Sequence, residues 1–386
     1  MPKAISIRKI DGKPGKVYYP LEHITIPDTP PKANEVVVKI TAAALNHRDL
    51  FLRQHLYPGT TFGVPLLADG TGIVTSTGSS PSAKKWQGKR VIINPGSGWK
   101  DDPEGPESPK GYSILGGTKM NPLGTLGETV TIDAGELEDA PSHLSSIEAA
   151  ALPLTGLTAW RATMVKSGNA KPGKNILITG IGGGVAIMAL LFAAAAGANV
   201  YVSSGSQEKI DRAKTMGAKG GINYKEKGWE KTLKALLPKD RAFLDAIIDG
   251  AGGDVVEKGA KLLKVTSSYY LTSYIHCNHF TDILFFSQPG GVISIYGMTT
   301  SPTMPFQMAA VLKNIEVRGS TIGSRKEFAD LFKFVQQKIL KPIVSRSVCG
   351  GLDNLEGIDS LFEDMKAGKQ FGKLVIEVSK EREAKL

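Results

Sequence analysis

An α/β fold built around a doubly wound parallel sheet is predicted by three features of this chain. Between residues 155 and 320, six strand candidates alternate with amphipathic stretches, the pattern of a parallel sheet covered on both faces. Inside that block, NILITGIGGGVA (Asn175–Ala186) reads as strand, glycine turn and helix. The flanking segments differ: β-branched runs punctuated by Gly and Pro dominate up to Leu154, and a closing strand candidate lies near the C-terminus.

In chain order, MPKAISIRKI alternates like a strand, and EVVVKITAAAL and KRVIINPG are further strand candidates. Residues 94–127 are rich in Gly and Pro and are expected to form a long surface lobe. The central strands are NILITG, NVYVSS, GGINY, LDAIIDG, GGVISIYG and IEVRGST. SQEKIDRAKTMGA and DVVEKGAKLLK are helices between them, the first ended by Gly217. The tail supplies the helix KEFADLFKFVQQKI, a second amphipathic stretch and the strand GKLVIEV, which needs a partner sheet and is expected to rejoin the N-terminal part. The predicted divisions are thus 1–154, 155–320 and 321–386.

The glycine turn points to a ligand. Lacking Cβ atoms, Gly180, Gly183 and Gly184 let backbone N–H groups approach a phosphate closely, and the helix opening at Val185 favours negative charge. A diphosphate is the natural occupant, hence a dinucleotide. About 20 residues past the turn, such folds place the residue that reads the adenosine ribose. A carboxylate there accepts the 2′-hydroxyl of NAD, but this chain has Ser204, followed by Lys209 and Arg212. Hydroxyls and cations welcome a 2′-phosphate, so NADPH is the expected cofactor. The same serines also suit a cap for the helix starting near Gln207.

Composition narrows the class. With 386 residues, 41% hydrophobic and 22% charged, the chain matches a two-domain globular enzyme. No apolar run is long enough to cross a bilayer as a helix. The N-terminus has neither a signal-peptide core nor a Ser/Arg-rich transit helix, so the cytoplasm is the expected compartment, with a mitochondrial address left open. The net charge of +10 comes from Lys and Arg scattered among acids, a solvated surface rather than a nucleic-acid face. Two cysteines, Cys277 and Cys349, can build neither a disulfide framework nor a four-cysteine zinc site.

Five ordered motifs span nearly the whole chain: ALNHRDLFLRQHLYP (44–58), LLADGTGIV (66–74), LPLTGLTAWRAT (152–163), TGIGGGVA (179–186) and GKQFGKLVIEV (368–378). Together they resemble the medium-chain dehydrogenase/reductase superfamily, most closely its zinc-free quinone oxidoreductase and enoyl reductase branch. The resemblance implies a GroES-like β-rich catalytic domain made from both chain ends, a Rossmann cofactor domain inserted between them, and a homodimer formed through the Rossmann sheet edge. Zinc members carry Cys where this chain has Asn46, a Gly-His-Glu run where it has Leu67-Ala68-Asp69, and four Cys in the lobe where it has none. Metal-independent hydride transfer to a small-molecule quinone or α,β-unsaturated carbonyl is therefore expected. An enoyl-thioester reductase of fatty-acid or polyketide metabolism is the second enzyme reading. A non-catalytic, crystallin-like NADPH-binding protein is the reading from another class.

Site residues follow from the same resemblance. Asn46 is expected beside the nicotinamide, or else serves a local turn. Tyr57, eight residues after Asp49, is expected to donate a proton or steady an enolate; the alternative is a pocket-lining aromatic with water as the acid. His47 and Arg48 read as structural or surface groups, and Asp49 as an orienting one. Thr158 matches a nicotinamide contact, or caps an early helix turn. Tyr224 matches a residue packing against the adenosine phosphate, or is an ordinary strand aromatic. Ala251, in DGAG, and Tyr296 with Gly297 follow strand ends, where cofactors bind. Lys369 and Lys373 fit basic positions that reach a diphosphate, or are exposed lysines.

One segment breaks the pattern. Val265–Gln288, 24 residues, lies between a helix and the strand it should reach by a short turn. It has no clean period, is strongly aromatic, starts with a GT-type codon residue and ends LFFSQ, as a pyrimidine tract closing in CAG would encode. It reads as translated intron sequence; a genuine lid or dimer-contact loop is the alternative.

Overall fold

The computed structural model describes residues 1–264, 290–300 and 303–380, together with the backbone of a short antiparallel pair, Ser268–Tyr269 with Phe286–Ser287. The chain divides into two compact units. One comprises Met1–Trp160, Gly182–Met188 and Ile322–Leu386; the other comprises Arg161–Ile181 and Ala189–Thr321.

The second unit carries a six-stranded sheet in which every pairing is parallel. Its spatial order is Gly220–Asn223, Asn199–Ser204, Asn175–Ile178, Ala246–Asp249, Val292–Ile295 and Glu316–Gly319. In order of appearance that is 3-2-1-4-5-6, the Rossmann arrangement, whose switch point falls between Asn175–Ile178 and Ala246–Asp249. All six predicted strands form. Asn175–Ile178 is buried at every position, as a strand covered on both faces must be. The helix after the glycine turn, Gly184–Ala195, is apolar on all sides, with Phe192 fully buried. Gln207–Thr215 is amphipathic, with Ile210 and Ala213 inward, and gives way to Gly217 at φ +108°.

In the first unit, Glu35–Ala44 alternates inward Val36, Val38 and Ile40 before becoming buried throughout. It pairs antiparallel with Asp69–Thr77 and with Thr129–Asp133. The closing strand Lys373–Glu377 joins the same sheet, with Val375 opposite Ala44 and Glu377 opposite Ala42. Helices Arg325–Lys338 and Leu355–Lys366 bury Phe328, Leu331, Phe332, Ile358, Leu361 and Phe362.

The Gly/Pro-rich lobe is better anchored than its composition predicts. Trp99 and Leu115 are buried, and Trp99 Nε1 donates to the Asp102 carbonyl at 2.7 Å. Glu107 accepts backbone N–H bonds from Lys100, Asp101 and Asp102 at 2.6, 2.8 and 2.9 Å. These bonds pull its carboxyl from the ordinary 4.5 to about 2.

The suspected intron-encoded segment lies outside the described residues except for the four-residue pair above. Its flanks are described: Lys264 N–H donates to the Leu244 carbonyl at 2.9 Å, and Gly291 N–H donates to the Lys264 carbonyl at 3.3 Å.

Candidate active site

The glycine turn follows strand Asn175–Ile178. Gly180 has φ +64° and Gly182 φ +123°, values that side chains disfavour. Among the described residues nothing lies within 4 Å of where a Cβ on Gly180 would sit, and the residue is exposed, so a ligand can approach its backbone. Gly183 accepts the first helical bond, from Ile187 N–H at 3.0 Å. The N–H groups of the opening turn, Gly184 and Val185 among them, have no partner inside the helix. This is the geometry a diphosphate requires.

At the switch point, Thr179 Oγ1 donates to Asp249 Oδ1 at 2.6 Å, and Gly252 N–H to Asp249 Oδ2 at 2.7 Å. Burial raises the Asp249 carboxyl above the usual range, against the pull of these bonds. The loops after Ala246–Asp249 and Val292–Ile295 are tied together, since Thr299 N–H donates to the Gly250 carbonyl and Thr300 N–H to that of Ala251. A Cβ on Gly250 would lie 2.4 Å from the Tyr296 ring, and one on Gly297 would lie 3.3 Å from the Gly250 carbonyl oxygen. Ala251, Tyr296 and Gly297 are thus neighbours. Burial pushes the Tyr296 phenol upward.

At the end of strand Asn199–Ser204, Ser204 is buried and its Oγ accepts the Ser206 N–H at 3.2 Å. The helix cap is Ser206, whose Oγ accepts the Lys209 N–H. Tyr224 N–H donates to the Ser204 carbonyl at 3.1 Å, and its ring is half exposed. Sequence reasoning missed Lys225. A Cβ on Gly205 would meet Lys225 Cε at 2.7 Å, the Tyr224 hydroxyl at 2.9 Å and Lys225 Nζ at 3.2 Å. Ser204, Ser206, Tyr224 and Lys225 therefore gather around one glycine.

In the other unit, Asn46 opens helix His47–Arg53. Its backbone N–H donates to Asp49 Oδ2 at 2.8 Å, so the local turn is served by Asp49. Besides the capping box it shares with Asp49, the Asn46 side chain makes distant contacts: Nδ2 donates to Asp69 Oδ2 at 2.9 Å, and Oδ1 accepts from Lys373 Nζ at 2.7 Å. Lys373 Nζ also donates to Asp69 Oδ2 at 2.7 Å. Asp69 Oδ1 accepts the Leu154 N–H at 2.8 Å. Asp69 is 0% and Lys373 4% exposed, so this is a buried, hydrogen-bonded ion pair. The reading of Lys373 as an exposed lysine is corrected by this burial; Lys369 is exposed. Lys373 also underlies the glycine turn, because a Cβ on Gly184 would lie 2.9 Å from Thr155 Cγ2 and 3.1 Å from Lys373 Cδ. Next to the pair, Gly372 N–H donates to the Gly182 carbonyl at 3.0 Å.

Around this pair, Asp49 is fully buried, and desolvation raises its carboxyl despite Arg48 at 3.0 Å. Arg48 is buried rather than superficial, donating to the carbonyls of Leu115 at 2.9 Å and Gly116 at 2.7 Å. Its guanidinium lies 4.6 Å from the Tyr57 ring centroid. His47 keeps an accessible face, but desolvation by its packing and then the Lys373 charge hold its imidazole below the usual range. Thr158 is buried within helix Pro153–Trp160, and its Oγ1 donates to the Leu154 carbonyl at 2.7 Å, a bond within the helix rather than a cap.

A 3-2-1-4-5-6 parallel sheet with a phosphate-type glycine turn, joined in one chain to a β-rich unit bearing buried polar residues, defines a medium-chain oxidoreductase. The comparisons agree. Residues 32–142 match the alcohol dehydrogenase GroES-like domain, and residues 184–337 match the zinc-binding dehydrogenase model. The zinc-type alcohol dehydrogenase-like protein YogA of Leptosphaeria maculans is 47% identical over 383 residues, covering 98% of this chain and all of that protein. A crystal structure of an NAD-dependent alcohol dehydrogenase superposes with a TM-score of 0.77 at 29% identity, covering 98% of this chain and 100% of that one. A crotonyl-CoA carboxylase/reductase of Cereibacter sphaeroides is 29% identical over 239 residues, 57% of this chain and 54% of that protein. The chain belongs to the medium-chain dehydrogenase/reductase superfamily.

The family description raises the question of zinc, and the donor set answers it poorly. Among the described residues, no group of three or more His, Cys, Asp or Glu side chains could hold a metal ion. Asn46 Oδ1 and both Asp69 oxygens already accept hydrogen bonds, and Asp49 is committed to Arg48 and the Asn46 N–H.

Proposed function

We propose that this protein is an NADPH-dependent, metal-independent reductase of quinones or α,β-unsaturated carbonyls. The observation that carries the reading is the Asn46–Asp69–Lys373 network, which offers hydrogen bonding and charge where zinc chemistry would need open ligands. NADPH supplies the hydride when bound. The diphosphate is assigned to Gly180, Gly183, Gly184 and Val185, with Lys369 as an exposed cation for it. Thr158, Ala251, Tyr296 and Gly297 are assigned to the rest of the cofactor. The gathering of Ser204, Tyr224 and Lys225 about Gly205 supports a 2′-phosphate, with Lys209 half-buried one turn further on. Tyr57 is assigned as the acid that protonates the acceptor; its ring is half-buried and stacked by Arg48, which fixes its direction.

The enoyl-thioester reading is favoured by the likeness to a crotonyl-CoA carboxylase/reductase. The test is NADPH oxidation with a panel of quinones, enones, enals and enoyl-CoAs, run on wild type and Tyr57→Phe. Turnover confined to enoyl-CoAs selects the thioester reading. NADPH binding without turnover on any acceptor defeats both enzyme readings and leaves the non-catalytic one. Equal rates for Tyr57→Phe on all acceptors remove the proton-donor role.

A further inference from the structure

We infer that the Gly/Pro-rich lobe positions the acid of this site: its consecutive glycines Gly116 and Gly117, the first acting through Arg48, set the direction of Tyr57. The inference deepens the reading above and rests on Tyr57 as the acid. Both glycines lie in the left-handed region, at φ +84° and +70°. Neither has room for a side chain. A Cβ on Gly116 would lie 2.6 Å from the Leu67 backbone N and O, and one on Gly117 would lie 2.7 Å from Leu52 Cδ1. Their two successive carbonyls meet the residues that hold Tyr57. The Gly116 carbonyl accepts from Arg48 Nη2 at 2.7 Å, and the Gly117 carbonyl accepts the Thr61 N–H at 3.0 Å.

Arg48 has little freedom left. Its buried guanidinium also donates to the Leu115 carbonyl at 2.9 Å and to Asp49 Oδ1 at 3.0 Å. A planar cation held at three oxygens presents one fixed face, and the Tyr57 ring lies on it, its centroid 4.6 Å from the guanidinium carbon. The Tyr57 main chain is tied to the same stretch of the lobe. Thr60 Oγ1 donates to the Tyr57 carbonyl at 2.7 Å, Thr60 bridges to Thr118, and Lys119 N–H donates to the Gly59 carbonyl at 2.9 Å. Ring and backbone are thus both fixed by segment 115–119, which makes Arg48 and the two glycines positioning residues for Tyr57. A lysine at position 48 would keep the charge but could not meet three oxygens and stack flat at once.

The test follows the ring directly and also through turnover. Wild type, Arg48→Lys and Gly117→Ala are labelled with fluorotyrosine, and the Tyr57 fluorine resonance is assigned with Tyr57→Phe. The expected result is that this resonance moves or broadens in both variants. Those of Tyr201 and Tyr296, in the other unit, should stay in place, which separates a local change from a loss of fold. In turnover, Arg48→Lys should lower kcat by about tenfold to a hundredfold with little change in KM, and should cost nothing further once Tyr57 is Phe. An unmoved Tyr57 resonance in the folded variants overturns the inference, as does an Arg48→Lys loss equally large in the Tyr57→Phe background. Should one variant fail to fold, the resonance in the other decides. Should no acceptor turn over, or Tyr57→Phe match wild type, the reductase or proton-donor reading falls, and the fluorine resonance still decides whether the lobe holds the ring.

Discussion

Lys373 Nζ and Asp69 Oδ2 lie 2.7 Å apart with both side chains withdrawn from water, although 304 residues separate them in the chain. Breaking such a pair from one side leaves an uncompensated charge, at a cost of about 3–5 kcal/mol. Lys373→Met is therefore expected to lose about that much stability in denaturant unfolding. Lys373→Met/Asp69→Leu, which removes both charges, should recover most of it. Additive losses in the double variant would show that the two groups do not act as a pair.

Glu107 gives a pH-dependent prediction with a definite sign. Its carboxyl is depressed in the folded protein, from 4.5 to about 2, so its contribution is complete above 4.5 and is lost as the pH falls toward about 2. Amide exchange at Lys100, Asp101 and Asp102 should accelerate over that window relative to the rest of the lobe. Glu107→Gln should exchange faster already at neutral pH. Identical protection in the variant would mean that the three N–H bonds do not hold the loop.

Lys225 tests the reading of the ribose phosphate. A lost charge-assisted hydrogen bond is worth about 1.5–3 kcal/mol, so Lys225→Ala should weaken NADPH binding by roughly tenfold or more while leaving NADH nearly unchanged. Ser204→Asp should act in the same direction by repelling the phosphate. Titration by cofactor fluorescence reads both, and an unaltered preference in both variants would refute the assignment.

Deletion of residues 265–288 tests the intron reading. Joining Lys264 to Pro289 would make the existing 3.3 Å bond from Gly291 N–H to the Lys264 carbonyl a four-residue turn closure, with Pro and Gly at its centre. The shortened protein should fold at least as stably as the full chain and retain cofactor binding. A shortened chain that fails to fold would mark the segment as structural.

A homodimer through the sheet edge that strand Glu316–Gly319 forms among the described residues is expected to use the exposed Met308, Val311 and Leu312 just before it. Leu312→Asp should shift light-scattering mass from dimer toward monomer. A monomeric wild type would dispose of the interface.

Much of the architecture was legible because local signals carried it. β-branched runs such as NILI and AIID can hardly be anything but buried strands between helices, and Gly217 marks a helix end wherever it occurs. The glycine turn was legible for the same reason: only a few residues have to be read together. The partners of the chemistry were less accessible. Asn46 looks like a turn residue, yet its side chain bonds groups 23 and 327 residues away. Lys225 is one of two lysines in GGINYKEK, and only the return of the chain past Gly205 distinguishes it. Glu107 lies in a stretch whose composition suggests a slack loop, and no pattern announces three convergent amides.

The brace between Gly372 and Gly182 gives the closing strand an outsized importance. Strand Lys373–Glu377 joins a sheet, props the glycine turn from beneath, and delivers the buried cation. A late stop codon that spared every upstream motif would therefore disable three layers of the molecule at once. The closing strand is thus a keystone of this fold, whose loss an intact glycine signature would not offset.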